Sequence, residues 1–568
     1  MKTDLRAHFI AGLVPLSGFI TGLVTFIIFY GSRIVNVRYI DWMLEHVSHD
    51  PPKNYLGWSF YRNNGWNFPL GIMENFGYPF GTTIIQTDSI PLLAILCKLF
   101  DPVLPVNFQY FGLWGMISFG LQGLFAALII KKWTGNPVII ILSALFFILS
   151  PPLIYRMFIH TALASGHWLI LAAIYLFISN VSNKRRSIIL WVLLHSISIL
   201  VHPYIAAMVF FVFCGYLINR YLADKDKNYL VRITLINVFT LLAISWIIGV
   251  FAGETEIMGS GLGKLSMNLN ALINPEGWSR ILPALPYAYT SQNEGFMYLG
   301  TGMLLIVLIS FFISCFQGWT ERNDPRFKGV LFVLLACLLL SLSPVITFNQ
   351  FILFEYPRFV SRYLLRFWHL FHASGRLFWP AYYMVFAWGL YKLLSGVRKQ
   401  AVSVALLSFL LLIQIFDLSA GFKALQSVYR FREEKKYENT LHSALWTENG
   451  GRFKHMVLLP PADFVPVKNP YQRDYEGFAF YASQHDMTLN TGYFARSKNK
   501  KINKHGEIIM AKLRDGSIDD NTLYVFREPA LLHSLESGPG ESENITVRKI
   551  GQFVVFFGSS NKPPENDL

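Results

Sequence analysis

The chain has 568 residues, of which 53% are hydrophobic, 16% aromatic and only 15% charged, and its mean hydropathy of +0.39 is too high for an ordinary soluble protein. A net charge of +14 would suit nucleic acid, but the Lys and Arg residues sit in short clusters between apolar runs, without a stacking-plus-basic motif, so no nucleic-acid partner is expected. Cys97, Cys214, Cys315 and Cys337 all lie inside apolar segments, which signals packing residues rather than a disulfide framework or a thiolate metal site.

Lys2 and Arg6 precede an apolar run from His8 to Tyr30, long enough to cross a hydrocarbon core of ~30 Å at ~1.5 Å per residue. With no small-x-small cleavage site, it reads as an uncleaved anchor with a cytoplasmic N-terminus. A long polar loop follows, from Ser32 to about Pro105, dense in acids, histidines, arginines and tryptophans. Its apolar stretch Ile90–Phe100 would reach only about 16 Å as a helix, so it is expected to be interfacial or re-entrant.

Ten further apolar runs lie at about 107–130, 136–155, 162–181, 187–202, 203–219, 232–252, 298–316, 329–346, 377–395 and 401–418, making about eleven spans with the first. Lys131-Lys132, Lys184-Arg185-Arg186, Arg220 with Lys225 and Lys227, Arg322 with Arg326 and Lys328, and Arg398-Lys399 then all fall on the cytoplasmic side, as positive clusters should. The outer face collects the loop 32–105, the Arg156–His160 turn, the His202-Pro203 tip, the loops 253–297 and 347–376, and everything after about Leu418. That last portion, 419–568, is polar, with alternating runs at His455–Leu459, Thr522–Phe526 and Gln552–Phe557, and is expected to be a soluble α/β domain. The tail from Ser559 reads as disordered. The predicted fold is thus a polytopic α-helical membrane protein (domain 1–418) with a soluble α/β domain (419–568) on the outer face.

Ionisable residues gather toward the outer loops, where they are functional candidates. Asp41, in R-Y-I-D-W, stands close behind the first span, though Arg38 at i−3 would also suit a helical ion pair. Asp88, in T-D-S-I-P-L, suits either a catalytic or metal-binding carboxylate or the N-cap of the interfacial helix. Arg156, His160, His167, His202 and Arg376 are candidates to hold a phosphate by charge-assisted hydrogen bonds, His202 also suiting a hairpin cap. Arg62 and Trp66, in R-N-N-G-W, and Glu294, in E-G-F-M-Y-L-G, are candidates for sugar or acceptor contacts. Arg358, Arg362 and Arg366 are spaced to share a helix face and suit lipid headgroups. The absence of a Gly-rich phosphate loop, an H-E-x-x-H pair and a nucleophile elbow counts against a nucleotide-driven pump, a zincin and a serine hydrolase.

A long first outer loop with an acid close behind the first span, about eleven spans and an outer C-terminal domain together resemble the GT-C class of integral membrane glycosyltransferases. The motifs R-Y-I-D-W, T-D-S-I-P-L, A-S-G-H-W, E-G-F-M-Y-L-G, A-S-G-R-L-F-W and L-N-T-G-Y-F-A-R resemble a bacterial family of that class mostly without assigned function. The resemblance implies a bacterial inner-membrane protein with its C-terminal domain in the periplasm, and inverting transfer from an undecaprenyl-phosphate sugar to a glycan or lipid acceptor, with Asp41 as base and with Glu45, Asp50 or Asp88 as a second acid. It leaves open whether a divalent cation, Mg or Mn, takes part. Two rivals remain: a lipid or glycan transporter or flippase, which should show half-chain repeats and midplane charges, and a non-catalytic envelope-assembly scaffold.

Overall fold

The structure is a computed structural model that describes residues 2–46, 48, 50–179, 181–252, 263–317, 319, 324, 326–357, 368, 370–433, 436–439, 441, 446, 451–461, 474–496, 499–527, 545–550 and 553–558. Arg358, Arg362, Arg366 and the tail from Ser559 lie outside the described residues. The chain divides into two compact units: 1–39, 107–244 and 258–434 form one, and 40–106, 245–257 and 435–568 the other. The first loop therefore groups with the C-terminal segment, although some 330 residues separate them.

In the first unit a helix forms at each position where the sequence predicts a span. Counting the helix Lys227–Ile247, which ends in the second unit, six helices are long and apolar enough to cross a membrane: Leu13–Tyr30, Phe111–Ile130, Thr161–Ser179, Pro203–Asp224, Lys227–Ile247 and Gln400–Asp417. Pro137–Ile148, Thr301–Gln317 and Phe327–Leu342 are apolar but shorter. The predicted run 136–155 is thus not one helix. Asn136 caps it by accepting from the Val138 and Ile139 N–H groups, and Pro151-Pro152 starts a separate short helix, Pro151–Arg156, after the break at Leu149-Ser150. The first helix packs on Phe111–Ile130 through Gly18 and Gly22; a Cβ at Gly22 would lie 2.0 Å from the Phe119 carbonyl oxygen and one at Gly18 2.5 Å from that of Gly123. Small residues four apart are what lets two apolar helices approach to backbone contact.

The second unit is built on a five-stranded sheet in the order 488–489, 455–459, 522–526, 553–558, 545–550. Its first three strands are parallel and its last two pair antiparallel. Val457, Leu459, Tyr524, Phe526, Val554 and Phe556 bury one sheet face against Ile509 and Leu513 of the amphipathic helix Asn499–Arg514. The first loop continues the sheet beyond its edge: Leu489 N–H donates to Asn75 O, and Gly77 and Tyr78 N–H donate to Leu489 O. Phe76 packs on Phe494 at 4.9 Å, and Tyr78 stacks on His455 at 4.6 Å. The apolar stretch of this loop forms the helix Pro91–Leu99, about 14 Å long and too short to cross a membrane.

Candidate functional site

Two charged clusters stand out, one in each unit. In the first unit, Glu294 ends a short 3₁₀ turn, Thr290–Gly295, fixed from behind by the fully buried Gln292, which donates to Thr347 Oγ1 and Ser266 Oγ. Arg156 reaches Glu294 from the end of the helix Pro151–Arg156, its Nη1 3.0 Å from Oε2, while its Nη2 donates to Asn293 O at 2.7 Å. Arg376, in the turn Ser374–Phe378, donates through Nε at 2.8 Å and approaches the same Oε2 through Nη2 at 2.6 Å. His160 Nε2 lies 3.8 Å from the other oxygen.

The approach of the two turns depends on a glycine pair. A Cβ at Gly375 would stand 2.7 Å from Gly295 Cα, and one at Gly295 would stand 2.6 Å from Met267 Cα. Glu294-Gly295 and Gly375-Arg376 therefore meet backbone to backbone, which sets the side chains within hydrogen-bond reach. Burial alone would raise the Glu294 carboxyl, but Arg376, Arg156 and His160 together outweigh it and hold the group well below the usual carboxylate range. The carboxylate is therefore ionised, and one of its oxygens is shared by two guanidiniums. Arg156 is 2% exposed, and its Nε–H has no hydrogen-bond partner, a buried donor that an anion could satisfy.

The other phosphate candidates of this unit lie differently. His167 is in the helical core, its Nδ1 2.6 Å from Tyr383 Oη and its ring 4.0 Å from that of Trp379; Tyr383 in turn contacts Gln122 and Ser150. His202 sits between two helices and caps Pro203–Asp224 by accepting from Tyr204 N–H. Glu276 went unnoticed in the sequence, where N-P-E-G-W reads as a plain turn. Its carboxyl accepts from Tyr287 Oη, and burial pushes it up to about 7 against the pull of Tyr287 and Arg156. Asp417 was also missed; fully buried, it accepts from Ser279 Oγ, Tyr298 Oη and Thr301 N–H and so ties together the ends of the segment 279–301, which carries Glu294.

In the second unit the cluster centres on Lys53, whose side chain is 4% exposed and whose Nζ lies 2.7 Å from both Asp50 Oδ1 and Asp88 Oδ2, 5.0 Å over the Tyr493 ring. Burial works against its charge, but Asp50, Asp88 and Tyr493 prevail and raise its pKa above the ordinary lysine value. Asp88 is therefore an ion-pair partner, and it does not cap the following helix: that helix starts at Pro91 with Ile90 at the cap position and no side-chain cap bond. Asp41 begins the helix Asp41–Leu44, so Arg38 shares no helix with it, and Asp41 Oδ1 accepts from Tyr437 N–H at 2.6 Å. Arg62 pins the turn after the Pro91–Leu99 helix, bonding Asp101 and the Pro105 and Val106 carbonyls. Trp66 is half exposed, with Lys98 Nζ 4.7 Å over its ring. Among the described residues no three His, Cys, Asp or Glu side chains converge on a metal position, and Asp50 and Asp88 are both taken up by Lys53, so this donor set does not fit a divalent cation.

An apolar cavity of about 310 Å³ in the first unit is lined by Trp133, Phe177, Trp319, Trp388 and Tyr391. Its wall includes the ion pair Arg326–Asp324, which satisfies itself, and none of the Glu294 cluster, so no chemistry is assigned to it.

Residues 19–419 match the family described as a domain of unknown function, DUF6311, and residues 445–558 match the DUF6311 C-terminal domain. None of the curated proteins matches the chain.

Proposed function

We propose, for this chain, which belongs to the DUF6311 family, that it is a membrane glycosyltransferase taking a sugar from a polyprenyl-phosphate donor to a glycan or lipid acceptor at the outer face. The observation that carries the reading is the partly buried Arg156–Glu294–Arg376 cluster, in which two guanidiniums converge on one carboxylate oxygen and the buried Arg156 Nε–H has no hydrogen-bond partner. In glycosyl transfer from a lipid phosphate, the sugar–phosphate bond breaks and its electron pair leaves with the phosphate. Preorganised guanidiniums stabilise the charge that develops there, and Glu294 fixes them so that little reorganisation is needed as it forms. Six apolar helices give the chain access to a lipid-borne donor. The resemblance in sequence gives Asp41 as a candidate base. Its Oδ1 accepts a hydrogen bond from the Tyr437 N–H.

The test is direct. Purified protein in detergent or vesicles, incubated with labelled polyprenyl-phosphate sugars and candidate acceptors, should release polyprenyl phosphate and form labelled product. Movement of intact donor lipid across vesicles without bond cleavage would instead establish a transporter, and binding with neither outcome a scaffold.

A further inference from the structure

Every transfer of this kind needs a second group besides the phosphate clamp, because the attacking hydroxyl must lose its proton as the new bond forms. Resting on the glycosyl-transfer reading, we propose that Glu276, in place of the sequence candidate Asp41, is the proton acceptor of the reaction, acting beside the Arg156–Glu294–Arg376 cluster in the same unit. The reaction then balances within one site. The acceptor oxygen bonds to the anomeric carbon, its proton passes to the Glu276 carboxylate, the carbon–oxygen bond to phosphate breaks, and the electron pair leaves on polyprenyl phosphate facing the arginines.

Geometry favours this residue on three counts. Glu276 is held by its fold, not left on a loose surface turn: its backbone N–H donates to Asn274 Oδ1, and the same Asn274 oxygen accepts from Leu285 N–H while Asn274 Nδ2 donates to Leu285 O. The backbone at Glu276 has φ +47°, a left-handed conformation that costs a non-glycine residue free energy and that recurs at functional sites. Its carboxyl is half-buried, held by Tyr287 Oη, and close enough to Arg156 and Glu294 for both charges to act on it. The groups facing it are Tyr287 from its own loop, Arg156 and Tyr155 from the helix Pro151–Arg156, and Glu294 from the turn beyond. Trp278, two residues on, packs 5.9 Å from the Tyr155 ring and 6.0 Å from Phe296, so an aromatic wall adjoins the charged cluster.

The two carboxylates are driven apart by their surroundings. Glu294, bound by two arginines, stays ionised, and they hold its carboxyl too far below the usual range for it to serve as a base. Burial brings Glu276 up to about 7, where a carboxylate is both present at neutral pH and basic enough to take a hydroxyl proton. Paired acids with divergent environments are the pattern by which acid and base roles are recognised.

The test uses the full-length protein with a polyprenyl-phosphate sugar that it transfers. Glu276→Gln should keep donor affinity within about twofold and lose about 10²–10⁴ in turnover, the range for a missing general base. Wild-type turnover should rise with pH through about 7, and the residual rate of Glu276→Gln should not. Glu276→Asp, which keeps the acid, should recover part of the rate together with the pH-dependent limb. Wild-type-like turnover in Glu276→Gln would overturn the proposal and leave the glycosyl-transfer reading standing. So would a wild-type profile flat between about pH 6 and 8, which needs no variant to fold. Absence of transfer by the wild type from every polyprenyl-phosphate sugar would remove the reading and this proposal together.

Discussion

A single carboxylate, Glu294, takes three contacts on one oxygen from two arginines, and its neighbour in charge, Glu276, answers to burial in the opposite direction. These two residues predict opposite consequences for stability. Glu294→Gln removes the carboxylate that Arg156 and Arg376 share and should cost about 3–5 kcal/mol, read as a large drop in thermal midpoint. Glu276→Gln should do the reverse at high pH. The folded-state value of about 7 lies above the ordinary carboxyl range, so between the two the folded protein keeps a proton that the unfolded chain has released. Stability is therefore lost as pH rises through that window and stays lower above it. Glu276→Gln should be more stable than wild type by on the order of 1–3 kcal/mol at about pH 8 and nearly equal to it at about pH 4. Stability traded for a usable base is a common pattern at catalytic groups. At the phosphate end, Arg376→Ala should weaken donor-lipid binding more than it slows turnover of bound donor, since a clamp acts in the ground state as well as in the transition state. Lysine should restore it only partly, lacking the planar fork. Normal donor affinity in Arg376→Ala would remove this residue from the site.

Between elements, the contacts that assemble each cluster are short and depend on small residues. Gly375→Ala places a Cβ 2.7 Å from Gly295 Cα and 3.0 Å from Met267 N, all of it backbone that cannot rotate away. The turn Ser374–Phe378 must shift, at a cost of about 1–3 kcal/mol, and Arg376 moves with it. Donor affinity should therefore fall in Gly375→Ala although no charge has changed, and unchanged affinity would mean that the glycine contact does not set the clamp. The sequence displayed the parts of this arrangement but not their meeting. A-S-G-R-L-F-W and E-G-F-M-Y-L-G announce Arg376 and Glu294 as charged residues beside apolar runs, and the helix-period patterns place the helices around them. Nothing local in either motif says that a glycine of one lies on a glycine of the other, because close approach is a property of pairs about eighty residues apart. Glu276 was illegible for a related reason: its only local signal is a turn, and its carboxyl acquires a neutral-range affinity from burial and distant charges. For Asp88 the sequence offers a helix cap beside a catalytic or metal-binding carboxylate, and the ion pair stays hidden because its partner, Lys53, lies 35 residues upstream, well beyond the spacing over which caps and helical pairs can be recognised.

At the scale of the whole chain, the sequence pattern located helices at all eleven predicted spans and the strands at 455–459, 522–526 and 553–558, because periodicity and apolar length are local properties. What it could not supply was the grouping of residues 40–106 with 435–568, which rests on edge hydrogen bonds such as Leu489 N–H to Asn75 O and on the buried Lys53 that sits against Asp50, Asp88 and Tyr493. This grouping carries a prediction that belongs to the molecule rather than to a site. If residues 40–106 and 435–568 form one unit, they must share one side of the membrane, so reporters inserted after Asn107 and after Tyr437 should report the same compartment, and reporters after Lys132 and Arg186 the opposite one, as positive clusters require. Lys53→Met should then act on the unit as a whole. It removes the buried cation that Asp50 and Asp88 share, at a cost on the order of 3 kcal/mol, and exposes both the loop and the C-terminal segment to protease together. Acidification should rescue this variant but not the wild type, because without Lys53 protonating the two neighbouring carboxylates removes their mutual repulsion, whereas in the wild type it removes their attraction to Lys53. Cleavage confined to the loop, with the sheet residues still protected, would show that the two segments fold separately and would break the unit apart.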